Sequence, residues 1–193
     1  MTWLDKLERR IGWIAIPSLI RIVVAFTALV VVLAFVDANF LTVLALDPAA
    51  VKRGEVWRLF TYLFIPSSPV RPGAMLSPLW AVLALWFLWF IGDGLERAWG
   101  PFRLTLYFIV GMIGTTIAAF LFGAQFSNTM LAASLFFAFA WFYPDEVIYV
   151  FFILPMKIKW LAWISAALLM FGFITGPLAY KVAMVVAFSN FFL

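Results

Sequence analysis

Apolar residues dominate this chain in long, nearly uninterrupted runs. Six runs approach the roughly 20 helical residues that cross about 30 Å of hydrocarbon. They are about Ile20–Val36, Leu76–Ile91, Leu104–Phe122, Thr129–Tyr143, Trp160–Ile174 and Leu178–Leu193. Alternating ten-residue segments typical of a membrane barrel do not appear, so the pattern predicts six transmembrane helices. Some runs are short, which favours local thinning of the bilayer or burial of the helix in a bundle. The apolar stretch Val147–Leu154 is interpreted as leading into the fifth span.

The segment before the first span has a different pattern, with one apolar and one charged face. Its apolar residues recur at helical spacing and are Trp3, Leu4, Leu7, Ile11 and Ile14. Its other face carries Asp5, Lys6, Glu8, Arg9 and Arg10. This pattern predicts an interfacial amphipathic helix that ends near Pro17, without the features of a secretory signal peptide. We therefore divide the chain into an interfacial segment, 1–19, and a transmembrane domain, 20–193.

The first loop, roughly Asp37 to Met75, is too long and too apolar to be a simple connector. Ordered loops of this length are usually functional or packed against the fold. The sequence predicts one short helix near Pro48–Lys52 and a second near Glu55–Phe64. We expect this loop to be ordered and partly embedded in the membrane.

Composition supports a membrane protein and excludes several other classes. The 193 residues are 67% hydrophobic and 11% charged, against roughly 45–50% and 25% in soluble domains. A soluble enzyme, a disordered chain and a nucleic-acid-binding protein are therefore excluded. The chain has neither cysteine nor histidine, so the commonest general base and metal ligand are absent. We predict no metal site, no cofactor and no nucleic-acid partner.

The distribution of lysine and arginine predicts an orientation. Eight lie on the side of the N-terminus: Lys6, Arg9, Arg10, Arg21, Arg97, Arg103, Lys157 and Lys159. Five lie on the other side: Lys52, Arg53, Arg58, Arg71 and Lys181. By the positive-inside rule, this predicts a multi-pass protein of the cell (inner or plasma) membrane with both termini cytoplasmic.

Several motifs in this order resemble the rhomboid intramembrane protease superfamily. The run Gly54–Phe64 contains Trp57-Arg58 and is similar to that family's first-loop motif. The run Gly92–Gly100 resembles the Gly-x-x-Leu-Glu-x-x-x-Gly stretch that closes its second helix. Phe142-Tyr143-Pro144 and Phe151–Trp160 resemble its connection between the fourth and fifth helices. The resemblance covers about residues 20–193 and implies a six-helix rhomboid-like bundle, an all-α membrane fold.

The resemblance also implies where catalytic residues would lie. The family uses a Ser–His dyad, supported by a second His and an Asn in the second helix. By register, the serine falls on Thr129, the base on Ala187, the second His on Trp80 and the Asn on Ala84. A register shifted by five residues gives Ser134 in place of Thr129. Every catalytic element is thus replaced, which implies an inactive, derlin-like pseudoprotease in the broad sense.

The scaffold motifs remain, and we interpret them as structural. These residues are Trp57, Arg58, Gly92, Glu96, Arg97 and Gly100. In the resembled family such residues tie the first loop to the helical core, and direct binding of a client is the alternative. We also expect Trp80, or a neighbouring Phe, to fill the vacated site and leave the centre of the bundle apolar and dry.

Three functions follow as hypotheses. The first is a non-catalytic protein that engages transmembrane client segments or lipids, through a lateral opening that the resemblance implies between the second and fifth helices. The second is an intramembrane serine- or threonine-type protease that uses Thr129 or Ser134. The third is a channel or transporter, which the scarcity of charges within the spans argues against.

Overall fold

The structure is a computed structural model that describes residues 3–37, 39–66, 75–122, 128–150 and 154–189. Most of these residues are helical. The helices are α1 (Trp3–Ile11), α2 (Leu19–Val36), α3 (Phe40–Leu44), α4 (Pro48–Lys52), α5 (Arg58–Thr61), α6 (Ser77–Trp99), α7 (Pro101–Phe122), α8 (Thr129–Phe142), α9 (Ile158–Thr175) and α10 (Leu178–Ser189). Single 3₁₀ turns follow α1 (Gly12–Ile14) and α5 (Tyr62–Phe64).

Each of the six predicted spans coincides with one of the long helices. Within the described residues, four stretches are long and apolar enough to cross a membrane: Lys6–Val36, which includes α2, together with α6, α7 and α9. The other two helices are shorter, with 14 residues in α8 and 12 in α10. The chain is therefore a mostly helical protein suited to a membrane, and the six-span arrangement remains a prediction. The end of the sixth predicted span, 190–193, lies outside the described residues.

The segment before α9 departs from the predicted helical fold. It forms an antiparallel hairpin of β1 (Val147–Val150) and β2 (Leu154–Lys157), with Val147 paired to Lys157. The interpretation of this stretch as a helical approach to the fifth span is wrong. Its β-branched and aromatic residues favour a strand, and Pro155 cannot donate the backbone hydrogen bond that a helix interior needs.

A break in the helical backbone separates α1 from α2. The 3₁₀ turn is followed by Pro17 and then by Ser18, which has a left-handed backbone conformation with φ of 56°. The amide of Ile16 donates a hydrogen bond to Thr105 Oγ1, at 3.0 Å, which fixes this entry against the start of α7. The helix predicted to end near Pro17 ends at Ile11 and continues as a 3₁₀ turn to Ile14, and Pro17 lies in the break before the first long helix.

The ends of several helices meet at one end of the bundle, here called the basic face. It comprises the start of α2, the end of α6, the start of α7, the end of α8 and the start of α9. The hydroxyl of Tyr143 donates to the carbonyl of Gly94 at 3.3 Å, and the amide of Lys159 donates to the carbonyl of Pro144 at 3.0 Å. Consecutive long helices from α6 onward therefore run in alternating directions.

Helix α8 is the central element of the fold. It packs against α6, α7, α9 and α10, and its Leu131, Leu135, Ala138 and Phe139 belong to the buried core. Helix α9 is peripheral by comparison, since Ile158 at its first position is its buried residue. The core therefore sits around α8, with the remaining large helices arranged about it.

Candidate functional site

The position predicted for the oxyanion asparagine lies in a small apolar cavity. Ala84 of α6 lines it together with Ala132 and Phe136 of α8, and its volume is about 170 Å³. The described lining carries no charged side chain, and its hydroxyl, that of Thr27, donates to the carbonyl of Val23 at 2.8 Å. A buried water needs two or more polar partners, and this lining offers it few.

Trp80 does not fill this cavity, so that expectation is wrong. Its side chain is 46% exposed and lies on the outer side of α6. Successive helical positions differ by about 100°, and Ala81, the next residue, is the one that faces inward. The alternative expectation, a neighbouring Phe that fills the site, is not met either: the rings of Phe87 and Phe136, with centroids 5.7 Å apart, line a cavity that remains.

The other predicted catalytic positions are not brought together around this cavity. Thr129 is exposed at the start of α8, whereas Ala187 is buried on α10. Ser134, the candidate of the shifted register, is fully buried, and its hydroxyl donates to the carbonyl of Leu131 at 2.8 Å. This bond to the preceding turn is the ordinary behaviour of serine in an apolar helix. None of these three residues is part of the described cavity lining.

Arg58 is the centre of a compact network inside the first loop. Its guanidinium donates to the carbonyls of Thr42 at 2.7 Å and Ala45 at 2.9 Å, and to Glu55 Oε2 at 2.7 Å. Arg58 was predicted to be hydrogen-bonded into the helical core; it is buried and hydrogen-bonded. Its partners, however, belong to the loop and not to the helical core. The adjacent Trp57 is 47% exposed.

Two polar residues that the sequence analysis missed connect the loop to the bundle. The hydroxyl of Tyr62 donates to the carbonyl of Met112 in α7 at 3.1 Å. The side-chain amide of Asn128, just before α8, donates to the carbonyl of Leu63 at 2.6 Å. Tyr62 and Asn128 are both buried. The sequence did contain a signal. A tyrosine in an apolar loop and an asparagine at the start of a helix both need hydrogen-bond partners once they are buried.

The motif that closes α6 joins this helix to α2. Glu96 Oε1 accepts a hydrogen bond from the amide of Ser18 at 2.8 Å. Asp93, which the sequence analysis did not single out, accepts from Arg21 at 2.5 Å and also pairs with Arg97. We call this arrangement the basic-face latch. In this latch, carboxylates of α6 accept hydrogen bonds from groups at the start of α2. Two arginines pair with one aspartate.

The two motif glycines have separate local roles. At Gly92 there is no room for a side chain, because an added Cβ would collide with the side chain of Ile20 in α2. Gly100 follows α6 with a φ of 82°, a left-handed conformation that glycine adopts without strain, and its amide donates to the carbonyl of Glu96 at 2.9 Å. Close packing therefore accounts for Gly92, and backbone conformation accounts for Gly100.

A larger cavity, of about 420 Å³, lies at the basic face between the ends of α6 and α8. We call it the basic-face cavity. Its lining combines aromatic rings with charged groups: Trp86, Trp89, Phe90, Phe139 and Tyr143 with Asp93, Arg97 and Glu146. The floor is tight at Gly94, where an added Cβ would collide with the ring of Phe139. Sequence analysis did not predict this cavity, because Glu146 lies outside the Gly92–Gly100 run that contains Asp93 and Arg97.

Next to this cavity, one carboxylate holds the hairpin to the start of α9. Asp145 Oδ1 accepts hydrogen bonds from Lys159 Nζ at 2.9 Å and from Lys157 Nζ at 3.0 Å. These hydrogen bonds, first from Lys159 and then from Lys157, lower the pKa of Asp145 below its ordinary value of 3.8. The carboxylate is therefore ionised near neutral pH.

Comparison with known proteins adds no further constraint on this site. Neither a protein-family model, nor a curated protein, nor a solved structure matches the chain.

Proposed function

We propose that this chain is a non-catalytic, rhomboid-like pseudoprotease that engages transmembrane client segments or lipids in the cell membrane. The observation that carries this proposal is the apolar cavity at Ala84. Ala84, the position where the resemblance would place the oxyanion asparagine, lies in a lining of alanine, leucine, isoleucine and phenylalanine with Thr27 and Pro66. The hydroxyl of Ser134, the candidate of the shifted register, donates to the carbonyl of Leu131 in its own helix at 2.8 Å. A hydroxyl without a base is a poor nucleophile.

The packing of the helices supports lateral access to α8. Helix α6 packs on α2, α7 and α8, whereas α9 packs on α8, α10 and the hairpin. Helix α8 therefore lies between α6 and α9, as the lateral opening would require. The outward side chains of α6 and α9 are large and apolar, and they include Trp86, Trp163 and Leu168, each exposed by half or more. Such surfaces suit contact with lipid or with another membrane helix.

Photocrosslinking in proteoliposomes tests client binding. A photoreactive residue placed at Leu85, which lines the apolar cavity, is compared with one at Val32, which is 61% exposed on α2. The partner is a purified single-span segment of known sequence. We expect the Leu85 probe to crosslink this segment more strongly than the Val32 probe does. Equal crosslinking at both positions would contradict the proposed client binding.

The same proteoliposomes test the alternative, an intramembrane protease. We expect the single-span segment to remain intact during incubation with the protein. Cleavage that is lost in the Thr129→Ala or Ser134→Ala variant would overturn the non-catalytic proposal and identify the nucleophile. Labelling of the purified protein by a fluorophosphonate, which reacts with activated serines, would also overturn the non-catalytic proposal.

A further inference from the structure

The basic-face cavity has a wall of aromatic rings on its apolar side. Trp86 and Phe90 stack with centroids 5.8 Å apart, and Phe90 meets Phe139 edge to face at 5.2 Å. Trp86 and Trp89 are 51% and 47% exposed, so this wall is also open to the surroundings of the protein. The face of an aromatic ring attracts cations, and several rings together form the usual recognition site for alkylated ammonium groups.

The polar side of the cavity offers one group of each charge to a ligand. Asp93 is already neutralised by Arg21 and Arg97. Glu146 is exposed, and among the described residues no cation pairs with it. The side chain of Arg97 is 76% exposed, so its guanidinium keeps donors available beyond the bond to Asp93. The cavity thus presents a carboxylate and a guanidinium beside aromatic rings.

Along α6, the aromatic rings of the cavity come first and its charged side chains follow, as at a membrane interface. Trp86, Phe90, Asp93 and Arg97 share one side of the helix, since they are spaced by three or four residues. The rise from Trp86 to Arg97 is about 16 Å at 1.5 Å per residue. Apolar rings therefore lie toward the middle of the helix, and charges lie at its end, where lipid headgroups meet a membrane protein.

We propose that the basic-face cavity binds the headgroup of a zwitterionic phospholipid, with its ammonium against the rings and Glu146 and its phosphate against Arg97. The volume of about 420 Å³ is within the range of small-molecule sites. An anionic lipid without an ammonium group would leave the rings and Glu146 without a partner. This inference depends on a membrane location and on this cavity alone, so it can fail while the proposed function stands.

Native mass spectrometry of the purified full chain in detergent tests the proposal. The protein is titrated with phosphatidylethanolamine and phosphatidylglycerol that carry the same acyl chains. We expect preferential retention of phosphatidylethanolamine, and a loss of about threefold to tenfold in its binding in Trp89→Ala, the range expected for one cation–ring contact. Trp89→Phe keeps a ring and should restore binding. Trp160→Ala, at a 58% exposed tryptophan of α9, is the matched control.

The charged groups and the source of the ligand are tested in the same assay. We expect Glu146→Gln to weaken phosphatidylethanolamine binding, with Glu8→Gln in α1 unchanged. Equal retention of both lipids would overturn the proposal, as would a Trp89→Ala variant that behaves like Trp160→Ala. Soluble phosphoethanolamine is then added as a competitor. Competition as strong as that of the lipid would overturn the lipid assignment in favour of a free zwitterion.

Discussion

At the scale of single residues, Arg58 shows how an arginine is accommodated in an apolar loop. Its side chain is 11% exposed, and its three hydrogen-bond partners are a carboxylate and two backbone carbonyls. A guanidinium has several donors in a fixed plane, so it can satisfy acceptors from two chain segments at once. Arg58 therefore holds the end of α3 against α5 and fixes the shape of the loop.

We expect Arg58→Ala to lower the free energy of unfolding by about 1.5–3 kcal/mol, the usual size of a lost charge-assisted hydrogen bond. Thermal unfolding in detergent measures this effect. Arg53→Ala is the matched control, because Arg53 is 67% exposed and lies 3.9 Å from Glu55. Equal effects of the two substitutions would show that the Arg58 network does not stabilise the protein.

Gly92 gives a second prediction at this scale. Gly92→Ala would drive its new Cβ into Ile20, so α2 and α6 must separate. Overpacking of a core typically costs about 1–3 kcal/mol, and we expect a loss of that size in thermal unfolding. Gly12→Ala is the control, because a Cβ there would meet Glu8 at an ordinary 3.8 Å. A neutral Gly92→Ala variant would mean that the two helices are not in close contact.

The sequence predicted the structural role of some residues and missed or misplaced others. Arg58 was predicted as structural because a charge near hydrocarbon needs a partner, and Gly92 because it belongs to a run that resembles a family motif. Trp80 was wrongly placed inward, because a motif gives a position along a helix and a shift of one residue turns the side chain by about 100°. The roles of Asp93 and Asn128 depend on partners 72 and 65 residues away, which no local pattern reveals.

At the scale of elements, the hairpin before α9 is the feature that periodicity alone did not reveal. Both strands are apolar, like the spans around them, and a short apolar run is ambiguous between helix and strand. Two lysines at the end of β2 and the start of α9 share Asp145. The hairpin is thus anchored by charge at its base, while Val147 and Tyr149 are exposed along β1.

The Asp145 anchor predicts a dependence on pH. The folded pKa of Asp145 lies below the ordinary 3.8, so its stabilisation is complete above 3.8 and is lost as the pH falls through the lower folded pKa. We expect Asp145→Asn to lower the unfolding midpoint at pH 7 and to have little effect at pH values well below 3.8. The difference between variant and wild type is the readout. A difference that is the same at both pH values would contradict the role of this carboxylate.

At the scale of the whole molecule, the lengths of the helices are unequal. Helix α8 has 14 residues, or about 21 Å at 1.5 Å per residue, against a hydrocarbon core of about 30 Å. We expect the protein to be more stable in nanodiscs of 14-carbon lipids than in those of 20-carbon lipids, because a thinner bilayer reduces the mismatch. A higher unfolding temperature in the thicker lipid would contradict this expectation.

The orientation across the membrane is also open to a direct test, since the chain has no native cysteine. Single cysteines are introduced at the exposed positions Glu8 and Lys52. With a cytoplasmic N-terminus, we expect a membrane-impermeant maleimide to label Lys52→Cys on intact spheroplasts and Glu8→Cys only after lysis. The reverse pattern would show that the positive-inside rule misassigns this chain.

The hydrogen bonds of the first loop and of the basic-face latch differ in a way that bears on the order of assembly. Arg58 binds partners 3, 13 and 16 residues away, whereas Ser18 and Glu96 are 78 residues apart. Closing a short segment is faster and costs less entropy than closing a long one. During synthesis, the loop can therefore acquire its internal bonds while α6 is still being made. The latch can close only after α6 is complete, because Asp93 and Glu96 lie near the end of that helix.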